Sequence, residues 1–277
     1  MTFPESPPNL IAQNRKPKKM DKAVLTHIEN RLGTITLNRP EKRNAMSPDL
    51  IQAMKSALVN MEHDPAVKVV RIKAEGKAFC AGADLSYLQS MQNYSEEENL
   101  QDSENLMELF DLIYNFPKII IAQVQGHALA GGCGLVTVCD FAFSAPDALF
   151  GYTEVRIGFV PALVSVFLQE QIGAAKTQEL LLSGDLISAE RAANLGLITQ
   201  VTPAEHLDQV VLDHAAKLIT HNSANSMMET KKLLRSLNKK ERNQSLKHAA
   251  EINAKARAHE DCVKGISSFL SKEKPTW

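Results

Sequence analysis

Residues 126–135 read GHALAGGCGL, and the apolar run IIIAQVQ leads straight into them. That run reads as a buried strand, and LVTV restarts an apolar segment on the other side. A second stretch, KAFCAGADLSYL at 77–88, has the same order: strand, small residues, helix. The chain must therefore build two strand-to-helix elbows whose backbone is almost bare. Small residues at an elbow serve one of two ends. Glycine and alanine let two elements approach closely. Alternatively, uncovered N–H groups at a helix start point at an anion or a developing oxyanion. One elbow fits close packing. Two, each opening a helix, favour a shared site, because donors from separate loops can grip one carbonyl oxygen with help from the helix dipole. Neither elbow is GxGxxG, and neither carries the Lys-Ser/Thr of a phosphate loop.

The rest of the chain frames these elbows. AVLTHIE and GTITLN predict two strands with a short turn at Arg31–Gly33. SPDLIQAMKSALVNMEH predicts a helix with Ser47 as N-cap, Pro48 at its first position and Leu50, Ile51, Met54, Leu58 and Met61 on one face. VKVVRIKAEG, KIIIAQVQG, FAFSA and ALFG are further strands, and residues 85–116 read as one helical region with a polar middle. From Pro161 the pattern turns helical, near 162–171, 174–183, 187–194, 204–219, 223–237 and 241–257, with the strand LGLITQV and a last amphipathic helix. The architecture is a mixed α/β core followed by a helical C-terminal part, with a layered or a spiral sheet.

Composition narrows the function classes. The 277 residues, 44% hydrophobic, suit one large domain or two small ones. A net charge of −1 gives no bulk attraction to nucleic acid or a membrane surface, and no apolar run is long enough to span a bilayer. Cys80, Cys133, Cys139 and Cys262 show no ligand spacing and read as reduced, buried thiols of a reducing, cytoplasmic compartment. The eight histidines form no HExxH-like pair, so no metal site is expected. Residues 1–20 are proline-rich and end basic; they read as a disordered extension or an upstream start before Met20, more than as a transit peptide.

AFCAGADL, followed some way on by GHALAGGCGL and CD, resembles the crotonase superfamily, the enoyl-CoA hydratase/isomerase family. The likeness continues through NRPEKRNAMS upstream and through FGYTEVRIGFVP and ELLLSGDLISAERAANLGLITQV downstream. The resemblance implies a crotonase-like spiral of ββα units over 21–202, which holds the active site. It also implies a helical C-terminal region over 203–277 that assembles homotrimers or dimers of trimers. The implied substrate is an acyl-CoA thioester, with coenzyme A part of the substrate and no separate cofactor. The family's oxyanion donors fall on the N–H groups of Ala83 and Gly131, and Ala81 and Leu85 flank them in the substrate site. Physics supports such a grip: an enolate-like oxygen gains more from two fixed donors than the neutral thioester does.

Glu154 in GYTEVRIG matches a family acid/base, and its apolar neighbours Val155 and Ile157 would raise its pKa; a salt bridge to Arg156 is the competing reading. The second glutamate of two-carboxylate hydratases falls on Gly134, so the sequence resembles a one-carboxylate member. That position favours an isomerase that shifts a double bond; the look of FGYTEVRIGF favours a hydratase, the leading expectation. A non-catalytic acyl-CoA-binding protein is a further alternative. Asp84 reads as a helix cap at the edge of the substrate site, and His127 as a packed or hydrogen-bonded histidine. EKRNAM resembles the coenzyme A segment, where Lys42 or Arg43 would pair with phosphate and Ala45 would offer its carbonyl. Lys272 and Lys274 are weaker candidates for a nucleotide phosphate, and the polar stretch from Ser90 to Glu104 is expected to shape the acyl pocket.

Overall fold

The computed structural model describes residues 22–277, so the expectation for residues 1–20 lies outside the described residues. β1 (Val24–Glu29) and β2 (Leu32–Leu37) form an antiparallel hairpin in which Glu29 faces Leu32. Its two turn residues are Asn30 and Arg31, both at positive φ, which matches the twist of a tight hairpin. The turn thus lies earlier than the Arg31–Gly33 expected. Gly33 stands inside β2 for another reason: a Cβ there would lie 2.3 Å from the Met61 sulfur.

α1 (Pro48–His63) starts as the sequence predicts. The Ser47 hydroxyl accepts the Leu50 N–H at 3.3 Å, and the predicted apolar face is buried. The helix leads to β3 (Val69–Ala74). The helical region that follows is two helices, α2 (Leu85–Met91) and α3 (Glu96–Tyr114). The break comes at Ser95, whose side chain and that of Glu98 cap α3 reciprocally. Next come β4 (Ile119–Val124), the short β5 (Ala128–Leu129), α4 (Gly131–Thr137), β6 (Phe141–Ser144) and β7 (Leu149–Gly151). A 3-10 turn at Glu154–Ile157 precedes α5 (Ala162–Ile172), α6 (Ala174–Ser183), β8 (Ile187–Ser188), α7 (Ala189–Leu195) and β9 (Gln200–Val201). α8 (Leu207–His221), α9 (Ala224–Ser236), α10 (Lys239–Arg257) and α11 (Glu260–Leu270) complete the chain.

The main sheet has the order β1-β2-β3-β4-β6-β9, parallel from β2 onward; β5, β7 and β8 form a second, smaller sheet. Every residue of β2 and β4 is buried, as expected of parallel strands covered on both faces. The large apolar cluster lies between the sheet and α1, α3, α4, α5 and α10. α8 covers the other face through Leu207, Val211 and Ala215, which meet Val69, Ile121 and Phe143. A third cluster joins α2 to α11 through Leu88, Met91, Cys262 and Ile266. The helices of 203–277 therefore share every apolar cluster with the elements before them.

Candidate active site

The first elbow follows β3. Met46 runs beside it as a short parallel bridge: its N–H donates to the Gly82 carbonyl at 2.7 Å, and its own carbonyl accepts the Asp84 N–H at 2.8 Å. These bonds use the polar groups on either side of Ala83 and turn the Ala83 N–H the other way. That N–H has no acceptor among the described residues. The second elbow lies against the first, since Leu129 N–H donates to the Cys80 carbonyl at 2.9 Å. Ala130 then takes φ 49° and ψ −127°, a conformation rare for a residue with a Cβ, and is held there by its N–H bond to the Gly151 carbonyl at 2.7 Å. This turn starts α4 and presents the Gly131 N–H, which also lacks an acceptor among the described residues.

The two readings of the bare residues thus apply to different positions. Gly132 is required by close approach: a Cβ there would sit 2.3 Å from the Cys80 carbonyl oxygen. Gly82, at φ +88°, has Ala130 against it. Ala83 and Gly131 instead line one cavity of about 390 Å³, which Glu154 also lines. The wall of that cavity is mainly apolar, with Leu88, Leu106, Phe110 and Leu163 among its members.

Glu154 enters from β7 on the 3-10 turn. α11 clamps this turn: a Cβ on Gly158 would lie 2.4 Å from the Asp261 carbonyl oxygen, and one on Gly265 would lie 2.3 Å from that of Ile157. Two links fix its position relative to α4. Leu129 pairs with Gly151, and the buried Tyr152 hydroxyl meets the Thr137 hydroxyl at 2.7 Å. The Glu154 residue is only part-buried as a whole, but its Oε2 is enclosed and has no partner among the described residues. Burial pushes its pKa up to about 7, against a small opposing pull from its own backbone N–H. Arg156 does not neutralise it, because that guanidinium pairs with Asp185.

Gly134 is packed rather than open. A Cβ there would lie 2.7 Å from the Phe110 Cζ, so an aromatic ring occupies the space where a second carboxylate side chain would stand. The other sequence-derived residues separate into two groups. Ala81 lines the cavity, and its N–H donates to the Arg43 carbonyl at 3.1 Å. Lys274 lines it too. Arg43, Ala45, Asp84 and Leu85 do not. Arg43 and Lys42 are exposed, and Leu85 is 52% exposed. The Ala45 carbonyl, expected to be offered to a ligand, instead accepts the Arg39 Nη1–H at 2.7 Å. Asp84 turns inward as a cap: it accepts the Ser86 N–H at 3.0 Å and pairs with Arg39 at 2.7 Å. Burial alone would raise its pKa, but bonds from Ser86 and Arg39 outweigh this and hold it below the usual range. His127 is exposed, and its Nδ1 accepts the Leu149 N–H at 3.1 Å. All four cysteines are free and buried, and burial lifts Cys80 and Cys133 to about 12. Tyr87, Asp102, Asn253 and Arg257 also line the cavity; Asp102, with Met91, comes from the polar stretch expected to shape the pocket, while no local sequence signal marks the other three.

Known proteins share this framework. The family described as enoyl-CoA hydratase/isomerase matches residues 27–277. A Thermus thermophilus protein named "Putative enoyl-CoA hydratase" is 39% identical over 88% of this chain and 96% of its own length. The crotonyl-CoA hydratase of Syntrophomonas wolfei is 31% identical over 91% of this chain and 96% of its own. A crystal structure of a Mycobacterium avium enoyl-CoA hydratase superposes with a TM-score of 0.82 at 30% identity, covering 93% of this chain and all of that one. By the family match over residues 27–277 and the 39% identity to a relative covered almost end to end, the chain belongs to the enoyl-CoA hydratase/isomerase family.

Proposed function

We propose that the protein is an enoyl-CoA hydratase that adds water reversibly to the C2–C3 double bond of a 2-enoyl-CoA. The reading rests on one observation: two amides without acceptors and an unpaired carboxyl with a pKa near 7 line the same cavity. The thioester oxygen takes the Ala83 and Gly131 N–H groups. Negative charge that grows there as C3 is attacked is stabilised by about 3 kcal/mol per donor. Glu154 takes a proton from the attacking water and delivers one to C2, ending the step in the state in which it began, and its raised pKa places both protonation states within reach near neutrality. Coenzyme A enters as part of the substrate, and no separate cofactor takes part. Of the basic residues on the cavity wall, Arg156 and Arg257 are paired with Asp185 and Asp102, which leaves Lys274 for a coenzyme A phosphate, while Arg43 would act from the surface.

A second reading has its own support. Phe110 against Gly134 leaves no carboxylate from α4 to hold a water. An isomerase needs only Glu154, shuttling a proton between C2 and C4. Incubation of 2-enoyl- and 3-enoyl-CoA thioesters in heavy-oxygen water decides the matter. Label in a 3-hydroxyacyl product supports the hydratase; a shifted, unlabelled double bond supports the isomerase. Glu154→Gln is expected to lower kcat by roughly 10²–10⁴-fold in either case. Undiminished turnover in that variant would remove Glu154 from the chemistry.

A further inference from the structure

One part of the cavity has no role in the chemistry above. Asp102 and Arg257 line it as an ion pair at 2.6 Å, their side chains 11% and 6% exposed. Asn253, 7% exposed, lines it as well, and so does Tyr87 from α2. The hydrogen-bonding capacity of this group is not used up. Arg257 Nε, Asn253 Oδ1 and Tyr87 Oη are buried with no partner among the described residues. Buried polar atoms in folded proteins are nearly always paired, and leaving one unpaired is unfavourable.

The place of this group along the cavity follows from α3. Phe110, Leu106 and Asp102 all line the cavity at four-residue intervals, so they form one stripe on the helix. Phe110 sits against Gly134, in the first turns of α4, the helix that presents the Gly131 N–H. Eight residues of helix rise about 12 Å, so Asp102 stands about that far along α3 from Phe110, the residue packed against α4. At that end of the stripe, beyond Leu106, it suits contact with the far part of an acyl chain.

We propose that the acyl pocket selects thioesters whose acyl group carries an oxygen acceptor at its far end, received by the Arg257 Nε–H and the Tyr87 Oη–H, with Asp102 orienting the guanidinium. This inference rests on the acyl-CoA reading of the site. The ion pair is formally neutral, so the recognised feature is the acceptor oxygen itself, whether it belongs to a ketone or to a carboxylate. A hydrocarbon end would leave the donors unpaired, and a site built to hydrogen-bond rejects a ligand that lacks the group.

The test uses the full chain and two measurements. The first is kcat/KM on 2-enoyl-CoA thioesters of matched length ending in a methyl, a ketone or a carboxylate. The second is Kd, by calorimetry, for the saturated and unreactive thioesters with the same ends. The wild type is expected to favour at least one oxygen-ended series over the methyl series by roughly 10-fold or more in Kd. Tyr87→Phe and the double variant Asp102→Leu with Arg257→Met, which leaves no lone buried charge, are expected to lose that preference and keep affinity for the methyl series. Comparing the ketone and carboxylate arms identifies which acceptor is taken. Equal or better binding of the methyl series by the wild type overturns the proposal, while turnover would leave the hydratase reading intact. Oxygen preference in Kd without turnover supports the pocket and defeats the hydratase. Absence of binding to any acyl-CoA overturns both. Should a variant fail to fold, the wild-type series still decides.

Discussion

Glu154 concentrates the physics of this protein at the scale of one residue. Its carboxyl has a pKa of about 7 when folded, against the ordinary 4.5. The folded state therefore binds this proton more tightly than the unfolded chain does. Below the ordinary value both states are protonated and the group costs nothing. Between the two values the unfolded chain ionises alone, so stability falls as pH rises. Above about pH 7 the whole penalty remains, roughly 3 kcal/mol from the size of the shift. Glu154→Gln removes the titration. Urea unfolding of both proteins should show the variant gaining stability relative to wild type, from near zero at about pH 4 to roughly 3 kcal/mol at about pH 8. A difference that stays flat with pH would mean the carboxyl is not desolvated. The same proton controls rate: where Glu154 acts as base, kcat/KM should rise about tenfold per pH unit below its pKa and level off above it.

At the scale of elements, the site is made by junctions rather than by helices or strands. The first elbow is held from both sides of Ala83 by Met46, and the start of α2 is held by Asp84. Asp84 is 3% exposed and unites a cap with an ion pair to Arg39. Asp84→Ala would remove the cap and leave the Arg39 guanidinium part-buried without its partner. The expected loss is roughly 2–4 kcal/mol in chemical denaturation, and kcat should fall with it because Ala83 is the adjacent residue. Adding Arg39→Met to that variant should recover part of the stability, as the unpaired charge is then gone. A loss below roughly 0.5 kcal/mol would show that the elbow does not depend on this pair. The second elbow is maintained differently, by glycines that admit the Cys80 carbonyl and by the bond that fixes Ala130.

Across the whole molecule, the C-terminal helices complete the site and leave one face uncovered. α10 packs into the main core through Leu246, Ala249 and Ala250, while α11 clamps the Glu154 turn. Leu233 and Leu234 on α9 and Leu237 just after it are 64%, 61% and 68% exposed. A cluster of apolar side chains of this kind is a common mark of an association surface. Sedimentation of the wild type is expected to give a trimer or a dimer of trimers. Leu233→Glu combined with Leu237→Glu should shift it to smaller species. Unchanged assembly in that double variant would place the contact surface elsewhere.

Much was readable from the chain alone, because it was encoded locally. The Ser47 start of α1, most of the strands and helices, and two bare elbows each leave a signature within a few neighbouring residues, whereas the two-residue strands β5 and β8 do not. Gly134 marked the missing second carboxylate without any coordinates. The sequence could not state that Phe110 fills that space, that the Ala45 carbonyl is taken by Arg39, or that one helical region breaks where Ser95 and Glu98 cap each other. The Asp102–Arg257 pair was the least legible, since 155 positions separate its members. Periodicity and capping report on contacts a few residues apart. Which distant side chains meet across a cavity is settled only when the chain folds back on itself, and here the return of α10 over α3 settles it.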